Sequence, residues 1–225
     1  MKVKGAEQAK LWSPRYSYAE ADYLADVSRG TSKRWLSGYT YLHGGERVTQ
    51  PPVTPGRWPE GAVSFIDLVE IVAIGKLKEF GFSLPRVRDI VGNCQSFFHV
   101  ERPLVTLKFK VGGQEAFVSI GSELTEVGRN RGMRAWREIL EPFLEDLDYT
   151  EGFASRWWPM GRDNPIMLDP DYAFGFPVIR HSGVRTEIIL ERFQAGDLKD
   201  QIAEDFSVEP VDVERALQFE LRRAA

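Results

Sequence analysis

The sequence predicts an α+β protein, mainly helical: an N-terminal winged helix-turn-helix, a central β-hairpin region and a C-terminal three-helix module of helix-turn-helix-like order. Three observations predict it. Apolar residues recur at helical spacing near residue 20, over 64–91 and again beyond residue 185. Two stretches alternate in polarity around a glycine pair, Gly44-Gly45 and Gly112-Gly113. Turn residues and a proline-rich loop, 50–61, separate these segments. The expected organisation is a flexible arm over 1–15, a first domain over 16–98, a hairpin, helix and connector over 99–168, and a helical module over 169–225.

Ser17 followed by Glu20 has the spacing of a capping box, and Ala19, Tyr23, Leu24 and Val27 give the helix behind it an apolar stripe. Asp26-Val27-Ser28 breaks that helix; Asp tolerates the left-handed conformation better than most residues. A second helix follows, from Ser28 or Thr31 to Ser37, with Gly38 as its C-terminal cap. Residues 39–42 and 46–49 then read as two strands joined at His43-Gly44-Gly45. Residues 64–80 are a strongly apolar helix, Gly81-Phe82-Ser83 a break, and 84–91 a short helix. Over 104–120, Val105, Leu107, Phe109 and Val111 alternate with polar residues, which predicts a hairpin turning at Gly112-Gly113. Helices are expected near 133–147, 185–195, 197–206 and 210–222, with Asp197 capping the third.

The composition bounds the functional classes. No apolar run approaches the roughly 18 residues that span a bilayer, and no signal core follows the basic start, so a soluble cytoplasmic protein without a membrane partner is expected. Cys94 is the single cysteine, which excludes an internal disulfide and reads as a buried, inert thiol. His43, His99 and His181 lack metal-ligand spacing. No phosphate loop or nucleophile elbow is present. No catalytic residue, cofactor site or metal site is therefore assigned, and the chain is read as not an enzyme. The net charge of −4 is unevenly spread: residues 1–60 hold nine Lys/Arg and six Asp/Glu, whereas 169–225 hold seven and twelve. A nucleic-acid-facing head with a partner-facing tail would have this polarity, and so would chance drift along a surface.

Two short helices joined by a tight turn form the smallest unit that fits the major groove. In residues 28–37, SRGTSKRWLS, Trp35 and Leu36 can pack inward while Arg29, Thr31, Ser32, Lys33 and Arg34 face outward. Arginine can fork onto guanine; Ser, Thr and Lys suit phosphates. The alternative is a plain helical hairpin with a solvated basic face. The blocks YSYAEADYLADVSRGTSKRWL and FIDLVEIVAIGKLKEFGFSLPRVRDIV resemble the MerR-type winged-helix family over about residues 16–95. The resemblance implies that Ser28 and Arg29 through Arg34 enter the groove, and that the 39–50 hairpin, with Arg47, acts as the wing. The family's long dimerising coiled coil is missing, so its effector sensing is not carried over.

Residues 169–220 resemble a small helix-turn-helix module, long called a domain of unknown function, found in VapB-type antitoxins. The Asp169-Pro170 start, the Gly175-Phe176-Pro177-Val178-Ile179 segment and the Ala216-Leu217-Gln218-Phe219-Glu220 end carry the likeness. It implies an autoregulatory antitoxin, dimeric, with operator DNA and a PIN-like nuclease toxin as partners. The last helix is acidic and repelled by phosphate, so protein contact suits it better than DNA. A stand-alone transcription regulator without a toxin is the alternative, and a nuclease a third class that the absence of an acid or metal cluster disfavours. Arg131, Arg134 and Arg137, with Arg129 nearby, either face DNA or a toxin cleft or form salt bridges with Glu138 and Glu141. Trp157 and Trp158 read as core packing.

Overall fold

Short strands alternate with helices, and the fold is α+β. The structure, a computed structural model, describes residues 9–58, 61–122 and 132–222. Among the described residues each of the four sheets is a two-stranded ribbon. The chain divides into two compact units, residues 1–145 with 149–154 and residues 146–148 with 155–225. The stretch 99–168, expected as one connecting part, is thus shared between them. Among the described residues no helix is long and apolar enough to cross a membrane.

In the first unit, β1 (Pro14–Ser17) leads into α1 (Tyr18–Leu24), followed by α2 (Thr31–Ser37). Strands β2 (Tyr39–His43) and β3 (Glu46–Gln50) form the hairpin expected at that place. Strand β4 (Ala62–Ser64) pairs antiparallel with β1 and starts α3 (Phe65–Glu79). Ser64 accepts from the Asp67 amide, and the Asp67 carboxylate accepts back from the Ser64 amide. Twelve of the fifteen α3 residues are buried, so this helix is the axis of the unit.

Three expectations are corrected in this unit. Residues 1–8 of the expected arm lie outside the described residues, but from residue 9 the chain is built into the unit. A helical turn covers 9–12, Leu11 is buried, and Trp12 packs edge-on to Phe153 under the Arg57 guanidinium. Helix α4 (Leu84–Phe98) is twice the expected length, because Cys94 and Phe98 extend the buried row of Val87, Ile90 and Val91 past Gly92. The hairpin expected over 104–120 is instead helix α5 (Leu107–Ser122). Thr106 caps it, its hydroxyl accepting from the Phe109 amide at 3.2 Å. Phe109 is buried while Leu107 and Val111, four residues apart on one face, are exposed.

Helical residues 132–135 pass through a π turn, Trp136–Leu140, into α6 (Glu141–Glu145). The chain crosses between units in the ribbon β5 (Leu147–Thr150) and β6 (Phe153–Trp157). In the second unit β7 (Ile166–Met167) pairs antiparallel with β8 (Val178–Ile179). Trp158 is buried against Met167 and Val178. Helices α7 (Thr186–Gln194), α8 (Lys199–Phe206) and α9 (Pro210–Leu221) follow at the expected places. Asp197 does not cap α8: its carboxylate accepts from Arg192 Nε, while the Leu198 amide at the helix start donates to Gln201 Oε1 at 3.1 Å.

Candidate nucleic-acid interface

The pair α1–α2 is set by three local devices. Ser17 and Glu20 close the expected capping box, with the Ser17 amide 2.7 Å from Glu20 Oε2. Asp26 takes the left-handed conformation, φ 52°, that lets the chain turn without a glycine. The third device is one that spacing did not reveal. Asp22, buried on α1, accepts from the Gly30 amide at 2.5 Å and from the Ser32 amide at 2.7 Å. Gly30 is the N-cap of α2 and provides no side-chain cap. The Asp22 carboxylate supplies one from the neighbouring helix, binding the orphan amides of the α2 first turn and facing its positive dipole end.

The expected outward set divides. Ser28, Arg29, Lys33, Arg34 and Arg47 are exposed. Thr31 and Ser32 are buried, which corrects their assignment as outward-facing contacts. Their position on the first turn of α2 turns them toward α1, where Asp22 captures the Ser32 amide. Thr31 instead accepts from Arg34 Nη2 at 3.0 Å, steadying the guanidinium. Trp35 and Leu36 are buried as expected. None of Arg29, Lys33, Arg34 and Arg47 has a carboxylate partner among the described residues. In the second unit Arg156, Arg162, Arg185, Arg192 and Lys199 are all ion-paired.

The hairpin is placed by its base. Gly38 lies at φ 71°, and a Cβ there would sit 2.5 Å from the Gln50 carbonyl, so only glycine fits between α2 and β3. Arg88 on α4 donates from Nε to the Pro51 carbonyl at 3.1 Å and from Nη1 to Gln50 Oε1 at 3.3 Å. Register puts Leu42 opposite Arg47 and His43 opposite Glu46 at the tip. Tyr39, Tyr41 and His43 form a ladder on the other face, with ring centroids 5.9 and 6.5 Å apart. Thr40 and Thr49 hydroxyls meet at 3.1 Å across the strands. The turn, Gly44-Gly45, has both φ values positive, as a two-residue hairpin loop requires. Arg47 is positioned by this strand register.

Behind α2 lies a buried ionic cluster that periodicity did not reveal. The Arg102 guanidinium is fully buried. It donates to Asp67 Oδ1 at 2.7 Å and Glu70 Oε2 at 3.0 Å, and also to Thr54 Oγ1 and the Pro55 carbonyl. Asp67 and Glu70, set in the otherwise apolar run 65–75 of α3, were the signal that could have flagged it. Burial pushes Glu70 up to about 7, against the pull of Arg102 and the Thr54 hydroxyl. Burial likewise raises the Cys94 thiol to about 12, which leaves it protonated and inert.

Of the open arginine stripe, Arg134 pairs with Glu138 at 3.1 Å, as the salt-bridge alternative holds; Arg129 and Arg131 lie outside the described residues. His43 and His99 are exposed, and His181 Nε2 meets the buried Asp212 carboxylate at 2.8 Å, tying the chain before α7 to α9.

This architecture, a helix pair with a β-ribbon in one unit and a three-helix module in the other, recurs in known proteins. Residues 166–219 match the family described as "Protein of unknown function (DUF433)". Over 221 residues, 91% of this chain and 92% of the relative, the sequence is 26% identical to the Mycobacterium tuberculosis protein named "Putative antitoxin VapB45". It is 23% identical to "Uncharacterized protein Rv2308" of the same organism, across 91% of this chain and 89% of that one. The crystal structure of Rv2018 from Mycobacterium tuberculosis shares the fold, with a TM-score of 0.71, 21% identity and coverage of 91% of this chain and 98% of the other.

Proposed function

We propose that this chain is the antitoxin of a toxin-antitoxin pair: its first unit binds operator DNA as a winged helix-turn-helix of MerR-like type, and its second unit engages a PIN-like nuclease toxin. It acts as a binding protein, not an enzyme, and as a homodimer, which matches the two-fold symmetry of most operators. The observation that carries the DNA part is the set of four exposed cations, Arg29, Lys33, Arg34 and Arg47, on the α1–α2 and hairpin segment, which have no carboxylate partner among the described residues. A polyphosphate backbone pairs with such cations and releases counterions. The likeness to a protein named as an antitoxin, over nearly the whole of both chains, supports the toxin part.

Fluorescence anisotropy of a labelled duplex from upstream of the gene, at several salt concentrations, tests the reading. Tight binding that weakens steeply with salt is expected. Replacing Lys33 and Arg34 with Ala should flatten the log–log salt slope by roughly 0.9 for each phosphate that is no longer neutralised. An unchanged slope would mean that these side chains do not face the duplex. Co-purification with the product of the adjacent reading frame tests the partner, and a chain that represses its promoter with no such partner would be a stand-alone regulator.

A further inference from the structure

Helix α2 ends against a loop, not against solvent. The Trp35 carbonyl accepts from the Val53 amide at 2.8 Å and from the Thr54 amide at 3.3 Å, and the Leu36 carbonyl accepts from the Gly56 amide at 2.9 Å. These loop amides satisfy the last carbonyls of the helix, the groups a helix end leaves orphaned. The loop is fixed in turn by the buried cluster: the Thr54 hydroxyl donates to Glu70 Oε2 at 2.9 Å, and Arg102 holds Thr54 and the Pro55 carbonyl. Thr54, Glu70, Asp67 and Arg102 are all fully buried. A continuous chain of bonds thus runs from Glu70 through Thr54 to the C-terminal end of α2.

Glu70 is the variable member of that chain. Both bonds it accepts end on Oε2, while Oε1 is buried with no hydrogen-bond partner among the described residues. A proton on Oε1 therefore leaves the contacts to Thr54 and Arg102 in place. The charged groups facing it are Asp67, one turn earlier on α3, and Arg102 and Glu101 from the segment after α4; the loop contributes the uncharged Thr54. With Glu70 protonated, one guanidinium faces one carboxylate. With Glu70 ionised, a second negative charge is held away from water.

We infer that Glu70 is a pH-responsive positioning residue for α2, holding the helix through the 53–56 loop and loosening that hold as its carboxyl ionises. The inference deepens the DNA-binding reading above. Burial raises the group from 4.5 to about 7 in the closed arrangement. Opening of the loop admits water and restores ordinary acidity. The closed form binds the proton more tightly, so rising pH favours opening, and between pH 6 and 8 the opening constant grows about tenfold.

Amide hydrogen exchange at Val53, Thr54 and Gly56 tests this directly, with rates corrected for the base-catalysed increase and the amides of α9 as control. In the wild type, protection of the three amides is expected to fall about tenfold from pH 6 to pH 8. In Glu70→Gln, which keeps the shape and removes the titration, it should change less than twofold. Affinity for the upstream duplex at fixed salt should fall over the same range in the wild type and stay level in the variant. A flat wild-type profile, or the same slope in Glu70→Gln, would overturn the inference. If Glu70→Gln does not fold, Thr54→Val cuts the link instead: protection at pH 6 should drop to near the wild-type value at pH 8, and unchanged protection would overturn the inference. Duplex binding with flat exchange sinks the link and keeps the DNA reading; a tenfold exchange slope without duplex binding sinks the DNA reading and keeps the link.

Discussion

Gly44-Gly45 and Gly112-Gly113 are the same dipeptide with opposite uses. At the hairpin tip both glycines have positive φ, 60° and 88°, and a Cβ on either would meet nothing within 4 Å. The glycines are there for the backbone, which must turn in a region that side chains rarely allow. In α5 the pair lies inside a helix. A Cβ on Gly113 would stand 2.7 Å from Trp136 Cη2 and 2.8 Å from Phe109 Cδ2. That glycine is there for a neighbour, because an indole ring from 23 residues later rests on the backbone. Phe109 and Trp136 meet edge-on at 5.3 Å as a result. The lesson is that a glycine pair reports a constraint without saying whether it is local or tertiary.

Alanine substitutions separate the two uses. Gly113→Ala should have the largest effect, a loss of about 2 kcal/mol in denaturant unfolding, since the methyl must displace two aromatic rings. Gly45→Ala should cost about 1 kcal/mol, the strain of a left-handed alanine with open space around it. Gly112→Ala should move the other way. Its Cβ meets only Phe98 Cε1, at an ordinary 3.7 Å, so helix propensity should stabilise the protein by roughly 0.5–1 kcal/mol. The sign at Gly112 is the sharpest of the three. A loss there equal to that at Gly45 would mean that residues 107–122 turn back as a hairpin, and the contrast between the two pairs would collapse.

The two helical assemblies make a second contrast. Lys33 and Arg34 in the helix pair of the first unit have no carboxylate partner among the described residues, whereas α7–α9 pair Arg192 with Asp197 and Asp205 and join Lys199 to Glu214 at 2.9 Å. Exposed ion pairs of this kind add little stability. They neutralise Arg192 and Lys199, while Arg215 on α9 donates to the uncharged Gln218 at 3.1 Å.

Elements whose signals are local were legible in the sequence. The Ser17–Glu20 box, the left-handed Asp26, the Gly38 cap, the 39–50 hairpin and the three C-terminal helices depend on residues within a turn or two of each other, so spacing alone determined them. The α+β class followed from the same signals. The outward set on α2 was legible in part: Lys33 and Arg34 have the exposed positions that helical spacing gives them, but Thr31 and Ser32 do not. Their burial follows from Asp22 reaching across from α1 to the α2 amides, a bond ten residues apart in sequence. Only the tertiary structure decided three further things. Residues 107–122 form a helix on which Gly113 admits the Trp136 ring, although the alternation over 105–111 fits a strand equally well. Helix α4 passes Gly92 because buried Cys94 and Phe98 outweigh one poor helix former. Glu70 and Arg102, 32 residues apart, meet without water and set the loop behind α2. In each case the deciding energy is packing or desolvation between distant residues, and no local pattern records which distant residue arrives.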